Sequence, residues 1–467
     1  MRRTGWYGAN LAVIGSGLLF WSSGSAQPGA AGNGLSLTVA RARELAMTQN
    51  AGIRASAQSV VSATAQRNEA RAARLPGVSL SARYARLSDV PDPVITTPSL
   101  TIPTGPGTSI TTPSTQVSLG PSLLDSYNLT ATAQVPLFTG FRLENREKAA
   151  EYAARAAGEE YAASQLEVGN RVEQVYWRLY SARAAERVIS ESVKLAEAHL
   201  EDVRRLRAAG MATADDILAV EVRLSEARLR QIQAENASEL VRATLCNLLS
   251  VPVSTEIALV DSPSVVVPSV PDQDALVSAA LANRPELRAL AFRKRAMERG
   301  TAAVEGGKLP SVMFQTNYEV SNPNQRYFPT RDAWHATWSA GMGVTWTAWD
   351  WGMVGQQAAR ARAEERQVDE RLNQLRDAIT LQVVQARLAA VEGNRRVAVA
   401  EEGVRSAEAY HRSMRARYSA GTATNTEVLD AQILLERARL DLVQARTDQR
   451  TAAANLAYAV GDERTQD

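Results

Sequence analysis

The sequence repeats itself, and this repeat limits the folds that its 467 residues can adopt. Residues 172–188 resemble residues 381–397, and further along Ala196-Glu197-Ala198-His199 faces Ala407-Glu408-Ala409-Tyr410. Each half predicts the same order of elements, which is a helix, two strands and two long helices. The chain therefore reads as two similar units rather than as unrelated domains.

A stretch rich in proline and β-branched residues lies between the two halves. Pro263, Pro268 and Pro271 interrupt a run of valines, and this composition favours an extended connector over a helix. We place the first repeat at residues 35–250, the connector at 251–271 and the second repeat at 272–462.

The first residues follow the pattern of a secretory signal peptide. Arg2 and Arg3 precede an apolar run, and small residues then lead to Ala26. The alternative is a membrane-spanning helix, but the apolar run is shorter than the roughly 20 residues that a span needs. We therefore expect residues 1–26 to be cleaved after export, and no cysteine near residue 26 could carry a lipid anchor.

Four stretches alternate between apolar and polar residues, with two stretches in each half. They lie at residues 78–84, 129–137, 312–320 and 335–348. About ten alternating residues with aromatic side chains near the ends are typical of strands that span an outer membrane. The pattern alone also fits one face of a soluble β-sandwich. Each half thus predicts one β-hairpin.

Four strands are too few to close a barrel. In lipid every backbone amide needs a partner, and known barrels begin at about eight strands, so other copies of the chain must complete the sheet. Two copies would enclose only side chains, while three copies would leave room for a lumen. We therefore predict a twelve-stranded trimer to which each protomer contributes four strands.

The link between the first two strands is unusually long. Residues 89–122 hold seven of the 18 prolines together with many threonines and serines. We expect neither strand nor helix there, and we interpret the segment as a long loop at the outer end of the barrel.

Two long segments without proline predict helices of unusual length. From Arg142 to about Arg207, apolar residues recur in steps of three and four, which is the heptad spacing of a coiled coil. At ~1.5 Å per residue such a helix is roughly 100 Å long. Residues 360–417 repeat the pattern, and Gly210 and Gly421 are placed to end the two helices before a returning helix begins.

Charge and residue chemistry exclude several functions. Two of the 52 basic residues lie in the predicted signal peptide, so the mature chain has 50 basic against 50 acidic residues and no basic field for nucleic acid. The three histidines are scattered, and no nucleophile triad, phosphate loop or metal-ligand spacing is present. We expect neither an enzyme nor a bound cofactor or metal. The single cysteine, Cys246, lies among apolar residues and is interpreted as a core residue rather than a reactive thiol.

Several motifs together resemble the TolC family of outer-membrane efflux proteins. Val135-Pro136-Leu137-Phe138-Thr139-Gly140 and Trp349-Asp350-Trp351-Gly352 resemble its strand-to-helix corners. The segment from Asn283 to Ala289 resembles the start of its second half, and the segment from Tyr418 to Ala431 resembles the turn at its periplasmic tip. The resemblance covers essentially the whole mature chain.

The resemblance implies a mixed α/β membrane protein with two internal structural repeats. A transmembrane β-barrel in the outer membrane would stand on a long α-helical coiled-coil barrel that extends into the periplasm. The family implies a homotrimer in contact with outer-membrane lipid, without a cofactor, that docks to a periplasmic adaptor (membrane fusion) protein and an inner-membrane pump. Its function would be the exit duct of a tripartite efflux or type I secretion system that exports small molecules or polypeptides.

The resemblance also implies a gate at the periplasmic end, held closed by the inner helix pair of the second half. Matched residue by residue, Tyr418 takes the position of a tethering tyrosine and Asp216 that of its first-half partner. Glu427 and Asp430 take the positions of an acidic ring. Ala423 stands where the family has a tethering arginine. The resemblance therefore does not identify which residues would hold the gate of this chain closed.

Simpler roles are open for the same residues. Glu427 and Asp430 could only cap or solvate the start of a helix, and Tyr418 could be a packing residue. Independently of the family, three copies of Asp430 around a threefold axis would repel one another and favour cations. The turn residues that we expect to contact the adaptor are Gly210, Gly421 and Thr422.

Two other classes of function fit the sequence less well. One is a non-conducting coiled-coil structural protein or adhesin that spans the periplasm, but such a spacer has no need of alternating strands in two matched hairpins. An enzyme is the least favoured class, since no catalytic constellation is present.

Overall fold

The computed structural model describes residues 35–91, 94–118, 123–263 and 270–462. The predicted signal peptide at residues 1–26 lies outside these ranges and stays a prediction. In the first half the elements are β1 (Leu35–Leu37), α1 (Val39–Gln49), α2 (Ala51–Ala72), β2 (Gly77–Arg86), β3 (Val94–Thr97), β4 (Leu100–Gly105), β5 (Thr108–Thr112), β6 (Thr115–Ser118), β7 (Asp125–Phe138), α3 (Arg142–Ala208) and α4 (Ala214–Leu248). The connector contains β8 (Ile257–Leu259). In the second half the elements are α5 (Gln273–Asn283), α6 (Pro285–Glu305), a 3-10 turn (Gly306–Lys308), β9 (Ser311–Asn322), β10 (His335–Thr345), α7 (Met353–Ser419) and α8 (Asn425–Val460).

The two long helices, α3 and α7, are continuous over 67 residues each, as the absence of proline predicted. At ~1.5 Å per residue each is roughly 100 Å long. α3 packs against α2 and α6 and also against α4 and α8, so one helix belongs to two layers of helices. Among the described residues, none of the helices combines enough length with enough apolar character to cross a membrane.

The spacing of the repeat differs from our sequence alignment in one stretch. Arg142 and Met353, which begin α3 and α7, are 211 positions apart, and so are the last residues of these helices. This offset matches Val172 with Val383, and both are fully buried. The sequence alignment matched Val172 with Leu381, which is 58% exposed, and is therefore wrong by two positions there. Apolar residues that recur in steps of three and four produce such shifted matches.

The four alternating stretches form one antiparallel sheet in the order β10-β9-β7-β2. β2 pairs with β7 and β9 with β10, so each half supplies one hairpin, and β7 pairs with β9. Cross-strand partners share a face of a sheet. One row across the sheet is Leu80, Ala131, Tyr318 and Trp338. The next row, on the other face, is Ser81, Thr130, Glu319 and Thr337. The sheet is therefore apolar on one face and polar on the other.

Both margins of this sheet are open in the part of the chain that the structure describes. β2 and β10 each pair on one side only. Leu80 in β2 and Trp338 and Met342 in β10 carry some of the most exposed apolar side chains of the molecule. An apolar strand with an unpaired edge is a place where another strand can add.

The segment between β2 and β7 is not the irregular loop that we predicted. β3 pairs with β6 and β4 pairs with β5, and together they form a two-stranded ribbon. In such a ribbon every strand has a free edge, where the missing N–H of a proline costs no hydrogen bond. Pro103 lies in β4 opposite Ser109, and the threonines and isoleucines around it have high β propensity. The prolines were therefore no argument against strands.

A small mixed region lies about halfway along the long helices, where β1 pairs in parallel with β8. The buried hydroxyl of Tyr176 on α3 donates to the carbonyl oxygen of Leu37 at 2.9 Å and accepts from the main-chain N–H of Asp261 at 3.1 Å. Cys246 is fully buried in the same core, which confirms the predicted core role, and burial raises the pKa of its thiol.

The corner between β7 and α3 depends on two glycines. Gly140 has a φ of +64°, and a Cβ atom on it would lie 2.3 Å from the carbonyl oxygen of Gly306. A Cβ atom on Gly306 would lie 2.2 Å from the carbonyl oxygen of Gly140. Because the obstacle is backbone in both cases, the two segments can approach this closely only as glycines.

We expect Gly306→Ala to lower the free energy of unfolding by at least about 2 kcal/mol, because it forces these backbone segments apart. Gly307→Ala is the matched control. Its Cβ atom would lie 3.5 Å from the methyl groups of Val354, which is an ordinary contact. Denaturant unfolding of the detergent-solubilised protein measures both variants, and equal losses would contradict the close approach.

Candidate functional site at the helical tip

The two helical hairpins end close together at one tip of the molecule. α3 and α4 form the first hairpin, and α7 and α8 form the second. Leu429 of α8 packs into an apolar cluster of the first hairpin. The other buried members of that cluster are Val193, Ala196, Leu200, Val203, Val220, Leu224 and Ala227. Apolar packing thus holds the start of α8 against the first hairpin.

Both turns at the tip have the same geometry. Gly210 and Gly421 have φ angles of +73° and +72°, where a side chain would be strained. The main-chain N–H of Thr422 donates to the carbonyl oxygen of Arg417 at 2.8 Å, and the first turn has the same bond at 2.8 Å. This is the Schellman end of a helix. The predicted turns are confirmed, while their contact with an adaptor stays a prediction.

Asp216 and Glu427 begin the two returning helices. The carboxylate of Asp216 accepts from the N–H of Thr213 at 2.9 Å, and the hydroxyl oxygen of Thr213 accepts from the N–H of Asp216 at 3.1 Å. Glu427 and Thr424 form the same capping box at 2.6 and 3.3 Å. The hydroxyl of Thr213 is the main cause that lowers the pKa of Asp216, and the N–H of Thr424 is the main cause for Glu427. The capping role that the sequence left open for Glu427 is therefore present, and Asp216 shares it.

Tyr418 and Asp430 lie on either side of the second turn. Tyr418 is half-buried and packs against Met414 and Val428. Within the described ranges its hydroxyl makes no hydrogen bond. Of the two roles that the sequence left open for Tyr418, tethering and packing, this structure therefore contains the packing role. Burial and the charge of Asp216 raise the pKa of its phenol. Asp430 is exposed and lies nearly two turns beyond Thr424, the N-cap of α8, and its place in an acidic ring between copies stays a prediction.

A buried polar group that sequence reasoning missed lies beside Tyr418. His199 on α3 is 5% exposed, and its ring centre lies 5.4 Å from that of Tyr418. Its Nε2 lies 2.8 Å from Oδ1 of Asn425, and because an amide oxygen only accepts, Nε2 carries the proton. Nδ2 of Asn425 donates to the main-chain oxygen of Asp216 at 3.2 Å. One chain of hydrogen bonds thus connects α3, α8 and α4.

His411 on α7 is a second buried histidine at the tip. Burial is the main cause that lowers the pKa of both His199 and His411. The charges of Arg415, Arg439 and His199 lower the pKa of His411 further. Two of the histidines that look scattered in the sequence are therefore close enough in the fold to influence each other.

A comparison of the repeats could have found these residues. With the offset of 211 positions, His411 corresponds to Leu200, and Asn425 corresponds to Ala214. A buried polar residue whose counterpart in the other repeat is apolar indicates a role that only one hairpin has. Our alignment already has this offset around the tip, but it records where the repeats agree, and the signal lies in where they differ.

A cleft of about 600 Å³ lies beside the histidine network. Asp202 of α3 and Arg415 of α7 line it and form an ion pair at 3.3 Å, which is a second polar contact between the hairpins. Arg205 also pairs with Asp202. No group of three or more potential ligands in the described ranges could hold a metal ion.

Comparisons with known proteins give a sequence family and a set of similar folds. The family model described as outer membrane efflux protein matches residues 42–250 and 276–462. No curated protein matches the sequence closely enough to count as a relative.

Similar solved structures include three outer-membrane proteins, each matched over 91% of this chain. The CmeC outer membrane channel of Campylobacter jejuni has a TM-score of 0.76 at 14% identity, with 87% of that chain covered. The outer membrane protein VceC of Vibrio cholerae has a TM-score of 0.72 at 15% identity, with 96% covered. The MtrE channel of Neisseria gonorrhoeae, in its open state, has a TM-score of 0.71 at 17% identity, with 88% covered. At these identities the likeness shows the fold.

Proposed function

Because the chain belongs to the outer membrane efflux protein family, we propose that it is the outer-membrane exit duct of an efflux system. The observation that carries this proposal is an open sheet with one apolar face, attached to two helices of roughly 100 Å, α3 and α7. The apolar face of the sheet suits contact with lipid, and the length of the helices suits a conduit that extends away from the membrane. The alternative of a non-conducting spacer or adhesin is not favoured, since the similar structures include channels.

The open margins of the sheet support a trimer. β2 of one protomer and β10 of the next would pair, and three copies would close a barrel of twelve strands. The apolar row with Leu80 and Trp338 would then face lipid, and the polar row with Ser81 and Glu319 would face the lumen.

The helices offer a second pair of surfaces for neighbouring copies. Exposed apolar residues form one stripe along α4, at steps that are close to whole turns. The stripe consists of Leu218, Val222, Leu229, Ile232 and Leu240. An open groove beside α7 and α8 is lined by Leu388, Val399, Tyr410 and Leu434. The stripe and the groove have about the same length, so α4 of one copy would lie along α7 of the next and close a helical barrel.

The finer parts of the proposal concern location, partners and cargo. The mature protein, from about residue 27 and without a lipid anchor, would lie in the outer membrane and extend into the periplasm. The two repeats at 35–250 and 272–462 would have a common architecture, which the paired lengths of α3 and α7 support. A periplasmic adaptor would contact the turns at Gly210, Gly421 and Thr422, and an inner-membrane pump would supply small molecules or polypeptides. No residue in this proposal performs catalysis.

Conductance tests the duct. Purified trimers in planar lipid bilayers should form pores that prefer cations, because three copies of Asp430 would surround one axis. Well-folded trimers that never conduct, or that prefer anions, would rule out this form of the duct.

We expect Asp430→Ala to reduce the preference for cations about two- to fivefold by removing three negative charges from the narrow end. Asp377→Ala is the matched control, because Asp377 is also an exposed aspartate but lies on α7, roughly 12 turns from the tip. Reversal potentials in a salt gradient give both values. An unchanged preference in Asp430→Ala would remove Asp430 from the ring.

A further inference from the structure

The hydrogen bonds of Asn425 join the two hairpins where a gate would have to separate them. We propose that His199, Asn425 and the main chain of Asp216 form a latch that holds the α7–α8 tip against the α3–α4 tip and keeps the duct closed. The inference rests on the proposed function, since a latch needs a duct to close. The latch would also take over the role of the family's tethering arginine, which is Ala423 in this chain, because it tethers the tip through other side chains.

The latch bonds are buried and directional. His199 and Asn425 are 5% and 6% exposed, so no water competes for their hydrogen bonds while the tips stay together. Asn425 uses its oxygen toward α3 and its nitrogen toward α4, at 2.8 and 3.2 Å. A shift of the α8 tip breaks both bonds at once. The Asp202–Arg415 pair is exposed to solvent and contributes less.

The repeat shows that these bonds connect hairpins and are not needed to build one. The first hairpin has Ala214 at the position of Asn425, and yet it has the same Schellman turn and the same capping box. The helix start of α8 therefore needs no asparagine for its own stability. The second hairpin carries Asn425 for a contact that lies outside itself.

Burial of two histidines makes the latch sensitive to pH. The charged groups around them are Asp202 on α3, Asp216 on α4, Arg412 and Arg415 on α7, and Arg439 on α8, which is paired with Glu408. Burial is the main reason why a proton on either histidine is unfavourable, and the charges that act on His411 add to it because they are positive. The closed tip therefore lowers the pKa of both imidazoles below that of a histidine in water.

The sign of the pH effect follows from these shifts. Above about pH 6.5, the usual histidine pKa, both imidazoles are neutral in either state and the latch is at full strength. As the pH falls below that value, an opened tip takes up protons that the closed tip resists, so opening becomes more favourable. The capping carboxylates have lowered pKa values and stay charged across this range, so they do not contribute.

The test compares the open fraction of single channels in planar bilayers at pH 7.5. In each of the three protomers Asn425→Ala removes both latch hydrogen bonds and His199→Leu removes one of them, and we expect the open fraction to rise on the order of tenfold or more in both variants. His199→Gln keeps an N–H donor in this place and should stay near the wild type. The matched control is Asn455→Ala, since Asn455 also bridges α8 to α3, through Asn170 and Gln174, but lies far from the tip.

The pH response adds an independent readout. Between pH 7.5 and 5.5 the open fraction of the wild type should rise, and the double variant His199→Gln with His411→Gln should lose this rise. If the wild type conducts but Asn425→Ala opens no more often than Asn455→Ala, the latch is wrong and the duct stands. If His199→Gln opens as much as His199→Leu, the hydrogen bond is not what holds the tip. Wild-type trimers that do not conduct at any pH overturn the duct and the latch together.

Discussion

Proline at either Leu80 or Ser81 in β2 is expected to abolish the trimer. Neighbouring residues of a strand point their N–H groups to opposite sides, so one proline removes a donor that faces β7 and the other removes a donor that faces the open margin. On a margin that faces water, the second proline would be tolerated. In lipid, where the margin must pair with β10 of another copy, each loss leaves an unpaired carbonyl at a cost of several kcal/mol.

Light scattering coupled to size exclusion in detergent measures the trimer fraction. We expect it to fall from nearly all of the protein to less than about one-tenth in both variants. Thr111→Pro in β5 is the control, because the ribbon lies outside the four-stranded sheet and should not affect assembly. If both β2 variants, and therefore also the one that loses the donor at the open margin, form a full trimer, the margin does not pair between copies.

Arginine at the same two positions is expected to give opposite results. Leu80 lies in the apolar row and is 82% exposed, while Ser81 lies in the polar row. If the apolar face meets lipid near the middle of the membrane, Leu80→Arg costs about 2–4 kcal/mol in each chain. Ser81→Arg faces the lumen and should cost less than about 1 kcal/mol.

Urea titrations of folding into liposomes give the free energy of each variant. The two substitutions occupy adjacent residues of one strand, so differences in β propensity largely cancel. Equal costs would mean that both faces meet the same solvent, as they would in a sheet that stands in water. That outcome would contradict the membrane orientation, even if the trimer still formed.

The periodic parts of the fold could be predicted from the sequence because their pattern is local. Alternation located β2, β7, β9 and β10, and a heptad pattern without proline located both ends of α3 and the end of α7, although α7 begins seven residues before the predicted Arg360. The turn glycines, Gly210 and Gly421, were found from their place after a helix. In each case a few neighbouring residues carry the whole signal.

The remaining features depend on residues that are distant in sequence. His199 and Asn425 are 226 positions apart, and nothing around either residue indicates the other. The ribbon from β3 to β6 was missed because proline opposes strands in most sheets but not on free edges. Asp216 and Glu427 illustrate a third case, since an acid near a helix start fits both a cap and a charged ring, and only coordinates separate the two roles.

The equal length of α3 and α7 has a consequence for insertions and deletions. One added residue turns the rest of an α-helix by about 100°, so every side chain beyond it would lose its packing position against the neighbouring helices. A change in one helix can then be accepted only if its partners change by the same number of residues, in multiples of about seven. Natural variation in length should therefore accumulate in the ribbon and in the loop between β9 and β10, while α3 and α7 keep their number of residues.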